Sequence, residues 1–163
     1  MKDNWPQRKH PRLKNNDYRE DGFYFITICT KNRDRILSTV VGRDAHIPPS
    51  PSDNPPTLTD IGIIVDKYIK NIDYVYAGVS VKKYVIMPDH IHILILMRQS
   101  AITNNPTSLH TIVRSLKTLV TKNLGYSIWQ SSYYDKVLRE NDNYQPIVEY
   151  IDNNPQKWWL NNS

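Results

Sequence analysis

An α/β fold of the α+β kind, one domain mixing strands and helices, is what this sequence predicts, and three observations predict it. Residues 23–30, Phe-Tyr-Phe-Ile-Thr-Ile-Cys-Thr, are aromatic or β-branched almost throughout and read as a buried strand. Residues 84–97 read as strand, corner and strand: Pro88 has no N–H for a ladder, so the first strand stops beside it. Apolar residues recur with helical period in three further segments.

In chain order, residues 1–20 are polar and aperiodic and read as a basic arm, with Arg12 and Lys14 as candidate DNA contacts. A solvated tail is the equal alternative. Asp21-Gly22 make a turn, the first strand follows, and Lys31, Arg33 and Arg35 come after it. Residues 45–57 carry five prolines, a density that excludes helix and central strand and leaves an extended loop or lid.

Thr57-Leu58-Thr59-Asp60 can cap a helix whose apolar positions run from Ile61 to about Ile72. Tyr74 to Val81 reads as a further strand or strand edge leading into the hairpin. Ser108 can cap the next helix, with Leu109, Ile112, Val113, Leu116, Leu119 and Val120 as its stripe and Gly125 as its end. Arg114, Lys117 and Lys122 fall off that stripe, as a solvated face or as phosphate contacts. Residues 128–135, with Trp129, Tyr133 and Tyr134, read as an aromatic connection that either stacks unpaired bases or packs as core. The last helix starts near Asp142 and is expected to stop at Asn154, before Pro155. The expected domain is 21–158, with 159–163 a tail.

Composition narrows the partners. The chain has 163 residues, enough for one core, and a net charge of +5, which favours polyanions, nucleic acid first. Cys29 is the only cysteine, so no internal disulfide forms and nothing points to secretion. No apolar stretch reaches the ~18 residues of a membrane helix, and the N-terminus lacks a signal-peptide core. The expectation is a cytoplasmic protein without membrane contact.

The chemistry centres on His90 and His92. Two residues apart on a strand, they project side by side, a geometry that can grip one metal ion or simply place two histidines on a wet face. A catalytic metal needs more ligands. The last helix offers Tyr150 and Asn154, four apart and so one turn from each other on one face. A phenol of pKa near ~10 needs help to attack. A metal that polarises a phosphate supplies it, and a phosphotyrosine ester would conserve the energy of the broken phosphodiester.

These stretches together resemble the single-tyrosine HUH transposases, and among them the REP-associated tyrosine transposases. The resemblance rests on Met87-Pro88-Asp89-His90-Ile91-His92, on residues 22–33, 112–117, 129–130 and 133–135, and on Glu149-Tyr150-Ile151-Asp152-Asn153-Asn154-Pro155. It implies a ferredoxin-like antiparallel sheet with helices packed against it. It implies Mg²⁺- or Mn²⁺-dependent cleavage of single-stranded DNA near a hairpin. In it Tyr150 is the nucleophile, giving a 5′-phosphotyrosyl intermediate. His90 and His92 are the metal pair, and Asn154 stands where the wider group has a longer Gln. Arg33, Arg114, Lys117, Lys122 and Trp129 join the arm as candidate DNA contacts. The resemblance allows a monomer or a homodimer. Two rival readings are a non-catalytic nucleic-acid-binding protein and a metal-dependent nuclease using water.

Overall fold

The strand at the centre of the molecule is the aromatic run the sequence marks first. The computed structural model describes residues 18–42, 46–50, 55–139 and 141–162. In order these form β1 (Gly22–Cys29), a 3₁₀ turn at Lys31–Arg33, the short pair β2 (Ser38–Thr39) and β3 (Thr57–Leu58), then α1 (Asp60–Lys70) and the single turn α2 (Ile72–Val75). The second half holds β4 (Val79–Ile86), β5 (His90–Met97), α3 (Leu109–Leu124), β6 (Tyr134–Leu138) and α4 (Gln145–Asn162).

The main sheet has the order β4-β5-β1-β6, and each of its pairings is antiparallel. With α1 and α3 crossing over one face, this is the ferredoxin-like split arrangement. Ile91, Ile93, Ile95 and Met97 pack towards α1 and α3. The alternate residues Leu94 and Leu96 pack towards Ile147 and Ile151 of α4 on the other face. All eight residues of β5 are buried, which is why it reads as an unbroken apolar run after its histidines. At ~1.5–3 kcal/mol for each buried aliphatic side chain, β5 is among the most firmly held segments.

Both caps match the sequence. Thr59 accepts a hydrogen bond from Gly62 N, Ser108 accepts one from Thr111 N, and Gly125 closes α3 with a left-handed φ of 83°. Gly62 also marks a close approach: a Cβ there would lie 2.0 Å from the Leu37 carbonyl oxygen. Gly62→Ala is therefore expected to destabilise the fold by about 3 kcal/mol or more, read as a lowered urea midpoint with unchanged slope.

Three expectations need correction. The strand expected from Tyr74 to Val81 starts only at Val79; Tyr74 and Val75 close α2, and Gly78, at φ 72°, turns the chain into β4. Part of the aromatic connection is the edge strand β6, paired with β1 from Tyr134 to Leu138. Pro155 does not end the last helix, which runs on to Asn162. The proline costs one backbone bond. Packing holds the continuation: Arg35 lies 4.9 Å over the Trp158 ring and donates from Nη2 to Asn162 Oδ1 at 2.6 Å. Residues 159–162 thus belong to α4 rather than to a tail. Arg12, Lys14 and part of the Pro-rich loop lie outside the described residues. No helix of the described residues is long and apolar enough to cross a membrane.

Candidate active site

The corner before β5 is pinned by the segment that follows β1. Thr30 N and Thr30 Oγ1 both donate to the Asp89 carbonyl at 3.0 Å, Leu37 N donates to Pro88 O at 3.0 Å, and Met87 N to His90 O at 2.8 Å. From that fixed start, His90 and His92 point to the α4 face with ring centroids 4.6 Å apart. Both are buried, His92 completely.

Each imidazole is held by its Nδ1. His90 Nδ1 is 2.6 Å from Asp89 Oδ1, and His92 Nδ1 is 2.8 Å from Thr27 Oγ1. An ionised carboxylate only accepts, so His90 carries its proton on Nδ1 and turns the lone pair of Nε2 into the site. That Nε2 is buried with no hydrogen-bond partner among the described residues. Burial, then the nearby His90 and Arg33, push His92 well below the usual imidazole range, which keeps it in the neutral form that binds metals.

Asp89 is itself braced by Arg33, whose Nε lies 3.1 Å from Asp89 Oδ2 while Nη1 donates to Cys29 Sγ at 2.7 Å. Burial works to raise the Asp89 carboxyl, but the His90 hydrogen bond and charge and then Arg33 outweigh it, so its pKa falls below the ordinary value. Arg33 reaches this position from a turn in which Asn32 and Arg33 both take left-handed φ, 55° and 58°.

α4 brings the phenol to the same place. The Tyr150 ring lies 5.4 Å from His92 and 6.0 Å from Phe25, which is itself stacked 5.3 Å from His92. Lys157 Nζ stands 5.7 Å from the Tyr150 ring, and Lys83 of β4 binds Asp152 Oδ1 at 2.7 Å, tying the helix to the sheet. Asn154, one turn beyond Tyr150, is buried on the inward face of α4 with Ile147 and Ile151.

This donor set suits a divalent cation. Its lone pair at His90 Nε2 is fixed by a carboxylate behind the ring, the arrangement that orients metal-binding histidines. Among the described residues no three His, Cys, Asp or Glu side chains are grouped to hold a metal. A cation here would therefore draw on two imidazoles, the Asn154 amide, and oxygens from substrate or solvent.

The remaining candidates separate into two places. Arg33 belongs to the histidine site. Arg114, Lys117, Lys122 and Trp129 line one groove beside α3, on the opposite face of the sheet from α4. Nothing in the sequence singles out Thr27 or Asp89 for a functional role. The cross-strand register that sets Thr27 beside His92 is a product of folding.

Comparison with known proteins gives the family of the chain and likenesses of its fold. The family model of IS200-like transposases matches residues 18–154. An uncharacterised Haemophilus influenzae protein is 32% identical over 172 residues, covering 93% of this chain and 89% of its own. Among solved structures, a REP-associated tyrosine transposase bound to a REP hairpin superposes with a TM-score of 0.61 at 19% identity, over 90% of this chain and 74% of the other. A Deinococcus radiodurans R1 protein with a provisional transposase assignment superposes at 0.50 and 16% identity, over 87% of this chain and 97% of the other. Both structural likenesses are likenesses of fold.

Proposed function

We propose, for a chain that belongs to the family of IS200-like transposases, metal-dependent nicking and strand transfer of single-stranded DNA beside a hairpin, with Tyr150 as the nucleophile. The observation that carries this reading is the Tyr150 ring 5.4 Å from one of two adjacent, Nδ1-anchored imidazoles. The hairpin is part of the proposal because a solved transposase of the same fold is bound to one.

His90, His92 and Asn154 would hold the cation, Mg²⁺ or Mn²⁺, which supplies Lewis-acid polarisation of the scissile phosphate. Tyr150 Oη attacks phosphorus, the P–O3′ bond breaks, and the released 3′ oxygen takes up a proton to become a free hydroxyl. The phosphate remains on Tyr150 as a 5′-phosphotyrosyl ester. A 3′-hydroxyl from another strand reverses the step, reforming a phosphodiester and returning the proton to the phenol. Phe25 and the Lys83–Asp152 pair hold the ring and its helix in place, so the geometry needs no large search before attack.

The test is a denaturing gel after incubation with Mn²⁺ and a labelled single-stranded hairpin oligonucleotide. The expected result is a protease-sensitive, slow-migrating protein–DNA adduct. Cutting without adduct makes water the nucleophile, and binding without cutting makes the protein a binding module; either sinks the proposal. A second expectation concerns Asp89. Asp89→Asn releases the grip on His90 and should weaken Mn²⁺ binding ~10–100-fold in a spin-resonance titration. Unchanged affinity would show that the carboxylate does not orient the ligand.

A further inference from the structure

We infer that Arg33 is a positioning residue: bridging Cys29 and Asp89, it fixes the carboxylate that aims His90 Nε2 into the site. The inference rests on the metal reading above. It also takes Arg33 out of the set of DNA contacts that the resemblance implies.

Two of the three guanidinium nitrogens are used within the protein. Nε lies 3.1 Å from Asp89 Oδ2, and Nη1 donates to Cys29 Sγ at 2.7 Å. These contacts close a ring. Cys29 pairs in register with His90 across β1 and β5, and Asp89 immediately precedes His90. Arg33 therefore spans from the end of one strand to the carboxylate at the start of the next. Its planar fork suits a two-point hold, which an ammonium on a flexible stem does not supply.

Asp89 needs that hold because its backbone and its side chain are fixed separately. Thr30 grips the Asp89 carbonyl through N and Oγ1. That leaves the carboxylate to turn about its terminal torsion, whose preference is broad and roughly two-fold. Oδ1 stands 2.6 Å from His90 Nδ1, and Arg33 takes the other oxygen. With Oδ2 tied, Oδ1 stays against the ring and the proton stays on Nδ1. With Oδ2 loose, the carboxylate swings away and His90 is free to carry its proton on Nε2, the atom that needs its lone pair to bind a cation.

The backbone supports the same role. Asn32 and Arg33 both take left-handed φ without a glycine, which is uncommon and persists only where the surroundings fix it. Arg33 N and Asp34 N close this turn onto the carbonyls of Thr30 and Lys31, each at 3.1 Å. The turn brings the side chain of residue 33 back over residue 29. An arginine that only met phosphate in solvent would need no such turn, whereas one that must reach Cys29 and Asp89 together does.

The test compares Arg33→Gln and Arg33→Lys with the wild type; the side chain is 39% exposed, so both should fold, and thermal midpoints check this. Nitrogen NMR of isotope-labelled, metal-free protein reads the His90 tautomer. The wild type should show Nδ1–H alone, and Arg33→Gln a mixture of the two tautomers. A spin-resonance titration should show Mn²⁺ binding weakened about 10-fold by Arg33→Gln, the low end for groups behind a ligand, and not restored by Arg33→Lys. Adding Arg33→Gln to Asp89→Asn should cost no further affinity, because both changes act through one carboxylate. Anisotropy with chelator present should give wild-type affinity of Arg33→Gln for a single-stranded hairpin oligonucleotide. Wild-type tautomer and Mn²⁺ affinity in Arg33→Gln, wild-type Mn²⁺ affinity in Arg33→Lys, or additive losses in the double variant overturn the inference. So does lost DNA affinity with Mn²⁺ affinity intact, which returns Arg33 to the phosphate backbone. Wild-type protein that binds no Mn²⁺ sinks the metal reading instead, and the tautomer in metal-free protein then decides whether Arg33 holds His90.

Discussion

Replacing Tyr150 by Phe is expected to abolish the covalent DNA adduct, a fall of at least ~10³-fold, while binding of the same oligonucleotide persists. The change removes one oxygen and keeps the ring that packs beside His92 and Phe25. Folding should therefore change by less than ~1 kcal/mol, so that a missing adduct reports chemistry rather than unfolding. The structure also says where to look if an adduct survives. Tyr134 pairs with Thr27, which pairs with His92, so it shares the face of the sheet that carries the histidines and is 46% exposed. Tyr133 is bonded to His110 and lines the groove on the far side. Residual adduct that disappears only in Tyr150→Phe/Tyr134→Phe would move the nucleophile to β6.

The second large effect is expected from His90→Ala with His92→Ala, which should weaken Mn²⁺ binding more than 100-fold and remove the adduct with it. The double change removes both imidazoles, and the remaining Asn154 amide is a weak donor. The single variants separate the roles. His90→Ala leaves Asp89 paired with Arg33, so its structural cost is small. His92→Ala empties a fully buried position and strips Thr27 of its ring partner, so it should also lower stability by ~2–4 kcal/mol. Mn²⁺ affinity and adduct yield both at wild-type levels in the double variant would locate the cation elsewhere.

Much of this fold is local in origin and could be read directly. The caps at Thr59, Ser108 and Gly125, the end of β4 at Pro88 and the alternation of His90 and His92 depend on neighbouring residues. The missed features are those in which distant residues override local preference. A helix reads through Pro155 because Arg35 packs against its far half. β6 looked like a connection because a short edge strand has little apolar pattern until β1 offers it a ladder.

The amino-acid order by itself determined the mixed strand and helix content, the side-by-side histidines, and the one-turn spacing of Tyr150 and Asn154, because backbone periodicity sets those relations within one element. The tertiary structure alone decided that the phenol comes to His92, that Thr27 and Asp89 orient the two rings, and that four scattered basic and aromatic residues share a groove. Those are meetings between elements many residues apart, and strand register and helix docking, not spacing along the chain, bring them about.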